Sequence, residues 1–437
     1  MLECLPKPAL NPNSQKNKIN NRFTVSFMSG FTHDERKIPV TILTGFLGAG
    51  KTTLLNHILT DMHGMTFAII ENEFGEVGVD DAILKRKSDE EIIEMNNGCI
   101  CCTVRGDVSR IVKQILSRKD KKFDGIIVET TGLADPAPVA QTFFIDEAVA
   151  SLCQLDGIIT VVDTKHILQH LQEEKPEGVE NESVEQVAFA DRILLNKTDL
   201  VSAEELNNVK VEIAKINNRV DMIECQHSKV DPKLLIGIKA FDLQRCLEIE
   251  PSFLEDGEHS HGHGHSHVHV HSHVHDNSVS SIGFKFSDCD LSLGHLQEFI
   301  RSLMIDQGKD LYRYKGVISV KGMDKRFVFQ GVHMIFGGDF TEPWKEDEVR
   351  ESRFIFIGKN LDKKMLEDGF MKCKAVALRF KVGDSVFAKV ESEYQRGKII
   401  KLWDEGNPYR IQLENGGEVW GPVDEDLFVR KDPTPAE

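Results

Sequence analysis

The sequence lacks the long apolar segment that a membrane helix needs. No uninterrupted apolar run approaches the roughly 18 residues required, and no basic stretch followed by an apolar one opens the chain as a secretion signal would. We therefore expect a soluble protein of the cytoplasm. Residues 1–36 are rich in Asn, Ser and Lys and are expected to be a disordered tail. An organelle transit peptide, for a chloroplast or mitochondrion, is the alternative for this tail.

The sequence also lacks an excess of positive charge. It has 53 Lys and Arg residues against 70 Asp and Glu residues, which makes the formal net charge −17 at pH 7. Proteins that bind nucleic acid draw much of their affinity from basic side chains that neutralise phosphates. The charge balance therefore argues against nucleic acid as a partner.

Cysteine is scarce, with nine residues in a chain of 437. A secreted disulfide scaffold has a higher density of cysteine and usually an even number, so we expect the thiols of this protein to be reduced. At 40% hydrophobic residues the chain is apolar enough to build real cores. Its length predicts two or three folded units.

Apolar runs alternate with amphipathic helical patterns in the first half of the chain. The β-branched run Ile38–Thr44 passes through a glycine-rich turn into a helical stretch, Lys51–Met62. Further strands are predicted at 66–70, 125–128, 157–162 and 192–195, and helices at 107–116 and 203–216. Strands that alternate with helices indicate an α/β domain with a mostly parallel sheet. We place this domain at residues 37–248.

Three further segments are predicted after this domain. Residues 249–278 form a polar, histidine-rich linker, and residues 279–375 show the pattern of a small α+β domain, with one strand expected at Arg326–Ile335. Residues 376–437 show short alternating strands, and Asn415-Gly416 is a strong hairpin signal. This last segment resembles a small SH3- or Tudor-like β-barrel.

Three aromatic residues of the barrel, Trp403, Tyr409 and Trp420, are open to two interpretations. On one exposed face they would form a recognition site. Strand aromatics in a domain this small more often belong to the core, and we favour that interpretation. Because the barrel has more acidic than basic residues, we expect it to dock a partner protein and not a nucleic acid.

The turn after the first strand has the phosphate-loop pattern of Gly, four residues, and Gly-Lys-Thr. Glycines let backbone N–H groups converge on phosphate oxygens at the start of a helix. Lys51 would reach the β and γ phosphates, and the Thr52 hydroxyl would ligate Mg²⁺. The predicted phosphate-binding residues are Gly45, Phe46, Leu47, Gly48, Ala49, Gly50, Lys51, Thr52 and Thr53.

The choice of base is predicted from Asn196, Lys197 and Asp199, which form Asn-Lys-Thr-Asp with Thr198 directly after an apolar strand. A carboxylate at Asp199 can accept two hydrogen bonds from the guanine N1–H and N2 amino group, which adenine does not offer in that arrangement. A strand-to-loop cap would use the same residue types. Behind a phosphate loop, however, the tetrapeptide predicts GTP as the substrate.

The strand at 125–128 ends in Glu129-Thr130-Thr131-Gly132. Glu129 would hold Mg²⁺ through water, and the Gly132 N–H could contact the γ-phosphate. With Lys51 and Thr52, Glu129 completes the predicted catalytic set. No glutamine of the Ras type follows Gly132 directly, so we expect intrinsic GTP hydrolysis to be slow, as in a switch.

Cys99, Cys101 and Cys102 place three thiols within four residues. Three thiolates can cap one face of a tetrahedral ion such as Zn²⁺, and an open fourth position would allow the metal to be received and passed on. An inert structural cluster or a redox pair is the alternative. Glu71 and Glu76, between the phosphate loop and the cysteines, could add oxygen ligands, although exposed loop carboxylates are usually only solvated.

Every second residue from 259 to 275 is histidine, nine in all. Alternate residues of an extended chain share one face at a spacing of about 7 Å, so neighbouring imidazoles can converge on one ion. Imidazole suits several metals, and the run therefore does not identify which one. A flexible linker without ligands is the alternative. The predicted ligands are His259, His261, His263, His265, His267, His269, His271, His273 and His275.

Five motifs in this order resemble the CobW-type metal-binding GTPases over residues 38–375. They are Gly-Phe-Leu-Gly-Ala-Gly-Lys-Thr-Thr-Leu-Leu-Asn, Glu-Asn-Glu-Phe-Gly-Glu-Val-Gly-Val-Asp, Gly-Cys-Ile-Cys-Cys, Glu-Thr-Thr-Gly-Leu-Ala-Asp-Pro and Asn-Lys-Thr-Asp. The resemblance implies a GTP-dependent metallochaperone, most often for zinc, that delivers metal to an apo-metalloenzyme. It also implies that Cys99, Cys101 and Cys102 are the metal site.

One departure from the family concerns the client. Zinc chaperones of this family that activate methionine aminopeptidase have a Cys-Pro-x-Leu-Val motif near the N-terminus, whereas this chain has Cys4-Leu5-Pro6. We therefore do not expect that client. Two other functions stay open at this point: a GTPase that inserts cobalt or nickel, and a non-catalytic metal buffer in which the histidine run does the binding.

Overall fold

The computed structural model describes most of the chain from residue 34 onward. The described residues are 34–61, 65–71, 91–94, 104–117, 122–173, 175–176, 179–218, 220–242, 279–287, 289–346 and 348–433. They form three β-sheets of seven, five and five strands that follow one another along the chain. In this part of the chain, none of the helices has the length and apolar character that crossing a membrane requires.

The first sheet is parallel throughout its described strands, as the alternation of strands and helices predicts. Its strands are β1 Ile38–Thr44, β2 Phe67–Glu71, β3 Glu91–Glu94, β4 Gly125–Glu129, β5 Cys153–Asp163, β6 Arg192–Asn196 and β7 Asp221–Glu224. Their order in space is β3-β2-β4-β1-β5-β6-β7. Because all strands point the same way, the ends of β4, β1, β5 and β6 meet at one edge, where an α/β sheet binds its ligands.

Helices cover both faces of this sheet. They are α1 Lys51–Asp61, α2 Val104–Leu116, α3 Ala137–Ile145, α4 Glu147–Ala150, α5 Ile167–Leu171, α6 Glu182–Phe189 and α7 Ala203–Ile216. Along β1, Ile42 and Leu43 belong to two different apolar clusters, as alternation in a strand requires. Leu54 of α1 packs in the cluster with Leu43, whereas Val187 of α6 packs in the cluster with Ile42.

The second sheet is antiparallel, in the order β11-β10-β9-β12-β8. Its elements are β8 Val279–Ser287, α8 Leu293–Gln307, β9 Leu311–Ile318, β10 Lys325–Val332, β11 Ile335–Pro343, β12 Glu351–Lys359 and α9 Lys363–Lys372. The single strand predicted at Arg326–Ile335 is wrong, because the chain reverses after Val332. His333 takes a left-handed φ of 52° at this reversal, without the Gly, Asn or Pro that would have signalled a turn.

The third sheet has five strands in the order β16-β15-β14-β13-β17. They are β13 Ser385–Val390, β14 Glu393–Asp404, β15 Asn407–Leu413, β16 Glu418–Gly421 and β17 Val429–Lys431. The predicted hairpin is confirmed between β15 and β16, where Gly416 has φ 88°. Tyr409 and Trp420 are buried, and the Trp420 indole N–H donates to Asp404. Both belong to the core, as favoured above, and Trp403 is half-buried.

The first two sheets share one continuous apolar cluster. The Phe189 ring, at the end of α6, lies 5.2 Å from the Tyr312 ring of β9. Two residues further on, Asp191 forms a buried ion pair with Arg313 and also accepts a hydrogen bond of 2.9 Å from the Ile158 N–H. Helix α6 therefore anchors the second sheet to the first.

A buried carboxyl on α6 makes the stability of this interface depend on pH. Burial, followed by the negative charges of Asp135, Glu180 and Glu182, raises the pKa of Glu185 from 4.5 to about 8. Between these two pH values the folded protein binds more protons than the unfolded chain. The Glu185 contribution therefore lowers stability as pH rises, by up to about 1.4 kcal/mol per pH unit, and levels off above pH 8.

We expect Glu185→Gln to unfold at higher urea than the native protein at pH 9, and at nearly the same urea concentration at pH 5. The amide is a neutral replacement for the protonated carboxyl and does not ionise. Urea midpoints at the two pH values measure the effect. Glu204→Gln, at an exposed position of α7, is the control and should shift the midpoint equally at both pH values. A pH-independent effect of Glu185→Gln would contradict the prediction.

Candidate nucleotide-binding site

The loop 45–50 joins β1 to α1 and requires glycine at two of the predicted positions. Gly45 has φ 136°, and a Cβ there would lie 2.2 Å from the Val161 carbonyl oxygen. Gly50 has φ 109°, and a Cβ there would lie 2.5 Å from Asn196 Nδ2. The loop therefore packs directly against β5 and β6. Its backbone leads into the N-terminus of α1, and the first N–H groups of a helix, which have no partner within the helix, are suited to an anion.

Lys51 is the first residue of α1, and its side chain folds over the loop. Its Nζ donates to the carbonyl oxygens of Gly45 at 2.7 Å and Phe46 at 3.3 Å. The ammonium group therefore lies within the turn that its sequence motif predicts for phosphate. Of the other predicted loop residues, Ala49 is buried, the Phe46 ring stacks on His170 at 3.8 Å, and Leu47 and Thr53 are exposed.

Thr52 and Glu129 meet across the sheet edge. The Thr52 hydroxyl donates to Glu129 Oε1 at 3.4 Å, because β1 and β4 are neighbours and Glu129 ends β4. A hydroxyl and a carboxylate are the hard oxygen donors that Mg²⁺ prefers, and Mg²⁺ typically takes one or two protein ligands beside substrate phosphates and water. These two residues therefore fit a magnesium ion at the phosphate loop.

The turn that follows Glu129 lies against the phosphate loop. A Cβ on Gly132 would lie only 2.5 Å from the Leu47 backbone nitrogen, so this approach requires glycine. Just before it, the Thr130 N–H donates to the Leu43 carbonyl at 2.9 Å and its hydroxyl donates to Thr44 Oγ1 at 2.8 Å. The predicted Gly132 is therefore placed where its backbone can face a terminal phosphate.

Asn196 joins the Asn-Lys-Thr-Asp motif to the phosphate loop. It is buried, and its Nδ2 donates to the Ala49 carbonyl at 2.8 Å and to Ser228 Oγ at 2.9 Å. The Ser228 N–H donates back to Asn196 Oδ1 at 2.9 Å, and its hydroxyl donates to the Gly50 carbonyl at 3.0 Å. Sequence reasoning missed Ser228, although its place just after β7 puts it at the same sheet edge.

Lys197 pairs with a residue that the motifs do not include. Its Nζ donates to Asp163 Oδ2 at 2.7 Å, and His166 Nδ1 lies 3.0 Å from the same oxygen. Burial by itself raises the pKa of Asp163, but the hydrogen bonds from Lys197, His166 and the Lys165 backbone outweigh it, so the pKa lies below its ordinary value. The ionised Asp163 therefore holds Lys197 at the end of β5.

Asp199 is exposed on the short 3₁₀ helix Thr198–Leu200. The Thr198 N–H and hydroxyl both donate to the Cys225 carbonyl, at 3.3 and 3.0 Å, and this anchors the helix to the segment after β7. Within the described part of the chain, no group donates a hydrogen bond to the Asp199 carboxylate. Its oxygens can therefore accept hydrogen bonds from a base.

Of the predicted metal ligands, the structure places Glu71. It is buried at the end of β2, and its backbone is in register with Glu129 on one side and Glu94 on the other. The other predicted ligands lie outside the described residues: Cys99, Cys101, Cys102, Glu76, His259, His261, His263, His265, His267, His269, His271, His273 and His275. Among the described residues, no three His, Cys, Asp or Glu side chains are grouped to hold a metal.

The described cysteines are free thiols packed in the fold. Burial raises the pKa of Cys153 and Cys373 to about 12 and that of Cys225 to about 11. A thiol with such a pKa is a poor metal ligand at pH 7, since metals bind the thiolate. Cys153, Cys225 and Cys373 are therefore poor candidates for a metal site.

Two family profiles match consecutive parts of the chain. The profile of the CobW/HypB/UreG nucleotide-binding domain matches residues 39–224, and that of the cobalamin synthesis protein cobW C-terminal domain matches residues 279–374. These matches cover the first and second sheets, and the third sheet lies outside both.

Several characterised proteins are similar over most of their length. The zinc chaperone YjiA of Escherichia coli (strain K12) is 35% identical over 76% of this chain and 98% of its own. Zinc-regulated GTPase metalloprotein activator 1 of Schizosaccharomyces pombe is 33% identical over 74% of this chain and 83% of its own. The crystal structure of Zn(II)-bound YjiA GTPase from E. coli matches with a TM-score of 0.60 and 31% identity, over 78% of this chain and 99% of that one.

Proposed function

Since this chain belongs to the CobW/HypB/UreG family, we propose that it is a GTP-driven zinc metallochaperone. Its first domain is a P-loop GTPase domain. The contact between Thr52 and Glu129, 3.4 Å across the sheet edge, is the observation that carries the proposal, because it brings together two oxygen donors for magnesium beside the phosphate loop.

Each nucleotide contact is assigned to a residue already at the site. Lys51 binds the β and γ phosphates in place of its present carbonyl partners, and Asp199 accepts the guanine N1–H and N2 amino hydrogens. Thr52 and Glu129 hold Mg²⁺, which supplies charge neutralisation on the phosphates. The Gly132 N–H contacts the γ-phosphate. The same turn can therefore distinguish GTP from GDP.

Zn²⁺ is the cargo, and Cys99, Cys101 and Cys102 receive it. Strand register supports a link to the nucleotide, since Glu129, Glu71 and Glu94 are paired at one level of three adjacent strands. Cys99 follows Glu94 by five residues, a span of at most about 18 Å of extended chain. The cysteines are thus tethered to the edge that holds Mg²⁺ and the γ-phosphate. The two similar proteins named for zinc support this choice of metal.

The histidine run, residues 259–275, acts in this proposal as a buffer that supplies the cysteine site. The nine imidazoles offer several weak, reversible sites for zinc, whereas three thiolates bind a single ion tightly. The client is an apo-metalloenzyme that takes zinc through the open fourth position of the cysteine site. The contact of the γ-phosphate with the turn at Gly132 couples the nucleotide state to zinc affinity, so that hydrolysis of GTP changes this affinity.

Zinc affinity measured with a competing chromophoric chelator tests the proposal. We expect the native protein to have one tight Zn²⁺ site, whose Kd changes at least about tenfold between a non-hydrolysable GTP analogue and GDP, beside weaker sites. Replacement of Cys99, Cys101 and Cys102 by Ser should remove this site. Deletion of residues 259–275 should remove only weaker sites. Cys289→Ser, at a half-buried cysteine of the second domain, is the matched control and should change nothing.

Each rival function predicts a different outcome of the same titrations. If the triple Ser variant keeps a nucleotide-sensitive zinc site, the cysteine assignment is wrong. If zinc is lost with residues 259–275 and Lys51→Ala leaves zinc release unchanged, the protein is a metal buffer. If Co²⁺ or Ni²⁺ displaces Zn²⁺ from the cysteine site, the cargo is that metal.

A further inference from the structure

Helix α6 contacts the turn 132–135 through one buried side chain. Gln186 is 1% exposed, and its Nε2 donates to the carbonyl oxygens of Gly132 at 3.1 Å and Ala134 at 3.2 Å. A side-chain amide has two N–H donors, and this one directs both to a single turn. The Thr160 hydroxyl of β5 donates to the backbone carbonyl of Gln186 at 2.7 Å, so the helix is also held to the sheet at this residue.

The turn that Gln186 holds lies against the phosphate loop. Gly132 abuts the Leu47 backbone, and no glutamine that could orient a water molecule as in Ras follows it directly. Peptide units are planar, so the hydrogen bond from Gln186 to the Gly132 carbonyl fixes the peptide unit that follows Gly132. The Gly132 N–H belongs to the preceding unit, whose Thr131 carbonyl accepts a hydrogen bond from the Ala134 N–H at 3.1 Å. Gln186 also holds the Ala134 carbonyl, so its two hydrogen bonds keep the turn closed and in this way hold the direction of the Gly132 N–H.

We propose that Gln186 is a positioning residue for GTP hydrolysis, which holds the turn 132–135 so that the Gly132 N–H meets the γ-phosphate. This inference rests on the proposed role of Gly132. Gln186 itself does not touch the nucleotide and acts through the backbone of the turn. None of the nucleotide-binding motifs of the sequence contains it, and it lies 54 residues from its partner in the chain.

The supports of α6 make the helix a rigid holder. At its start, Asn181 Oδ1 accepts hydrogen bonds from the backbone N–H groups of Ser183 at 3.0 Å and Val184 at 3.2 Å. At its end, Phe189 packs on Tyr312 of the second sheet. A positioning group is effective when its own backbone is fixed in this way.

Steady-state kinetics of Gln186→Leu test the proposal. We expect kcat for GTP to fall by about 10- to 100-fold, because a small misplacement of a contact to the reacting group is costly. The affinity for GDP should change less than about threefold, since GDP lacks the γ-phosphate that the turn contacts. A role limited to stability would lower the melting temperature and leave kcat of the folded fraction unchanged.

Gln186→Glu gives a second readout in a side chain of the same shape. A protonated carboxyl can donate one hydrogen bond to the turn, whereas a carboxylate repels both carbonyl oxygens. The kcat of this variant should therefore recover as pH falls from 9 to 6, relative to the native protein at the same pH. A pH profile parallel to that of the native protein would overturn the proposal.

Asn217→Leu is the matched control. Asn217 is also buried, and its Nδ2 donates to the carbonyls of Val187 and Ala190 at 3.1 Å each, at the other end of the same helix. We expect this variant to lose stability with kcat unchanged. Equal losses of kcat in Asn217→Leu and Gln186→Leu would overturn the positioning role.

Gly132→Ala separates this inference from the proposed role of Gly132. If Gly132→Ala retains native kcat, the assigned role of Gly132 fails. If Gly132→Ala loses activity while Gln186→Leu keeps native kcat, the role of Gly132 stands and the role of Gln186 is wrong. We expect both variants to lose kcat and to retain GDP binding.

Discussion

Lys51→Ala is expected to reduce kcat/KM for GTP by about a thousandfold or more. A preorganised cation on the phosphates is among the largest single contributions to phosphoryl transfer, and removal of one such donor typically costs about 10²–10³ in kcat, with a further loss in binding. Lys51 is held in place by the carbonyls of Gly45 and Phe46 before any nucleotide arrives. Release of inorganic phosphate from GTP measures the effect.

The control for this change is Lys210→Ala, which removes a half-buried ammonium of α7 that pairs with Glu224 of β7. It lowers the net positive charge by the same amount and should leave GTP hydrolysis unchanged. Because the hydrogen bonds of Lys51 go to carbonyls of a surface loop, the circular dichroism spectrum of Lys51→Ala should match that of the native protein. Retention of more than about a tenth of native kcat/KM, a loss below about 1.4 kcal/mol, would contradict the assignment of Lys51.

Asp199→Asn is expected to change the base that the protein accepts. The amide oxygen can still accept from the N1–H, but this hydrogen bond is no longer charge-assisted. The amide NH₂ group faces the guanine amino group, so donor meets donor and the second hydrogen bond is lost. The affinity for GTP should fall by about 10²- to 10³-fold. Xanthine has a carbonyl oxygen in place of that amino group, and the amide can donate to it. XTP should therefore bind the variant more tightly than GTP does.

Competition of GTP, XTP and ATP against a fluorescent nucleotide measures this switch. Asp221→Asn, at an exposed position of β7, is the control and should leave the preference for GTP unchanged. Asp199 does not select guanine if the native protein hydrolyses ATP as readily as GTP. The same conclusion follows if XTP does not bind Asp199→Asn more tightly than GTP does.

Much of the fold could be predicted because its signals are local. The β-branched run at Ile38–Thr44 and the amphipathic pattern at Ala203–Ile216 match β1 and α7 residue for residue. Ser202 supplies the cap of α7, with Glu205 reaching back to it. The hairpin at β10 and β11 was missed because its reversal at His333 uses no turn residue, so tertiary packing and not local propensity sets it.

The sequence alone determined the chemistry of the nucleotide motifs, since each is a short contiguous string whose residue types dictate what they can bind. The tertiary structure decided which of these motifs, and which residues outside them, contact one another. Thr52 meets Glu129 across 77 residues, and Gln186 meets Gly132 across 54, because strand order places their elements side by side. A long-range hydrogen bond leaves no periodic pattern in either partner. That is why Ser228, Asp163 and Gln186 became visible as parts of the site only in the folded chain.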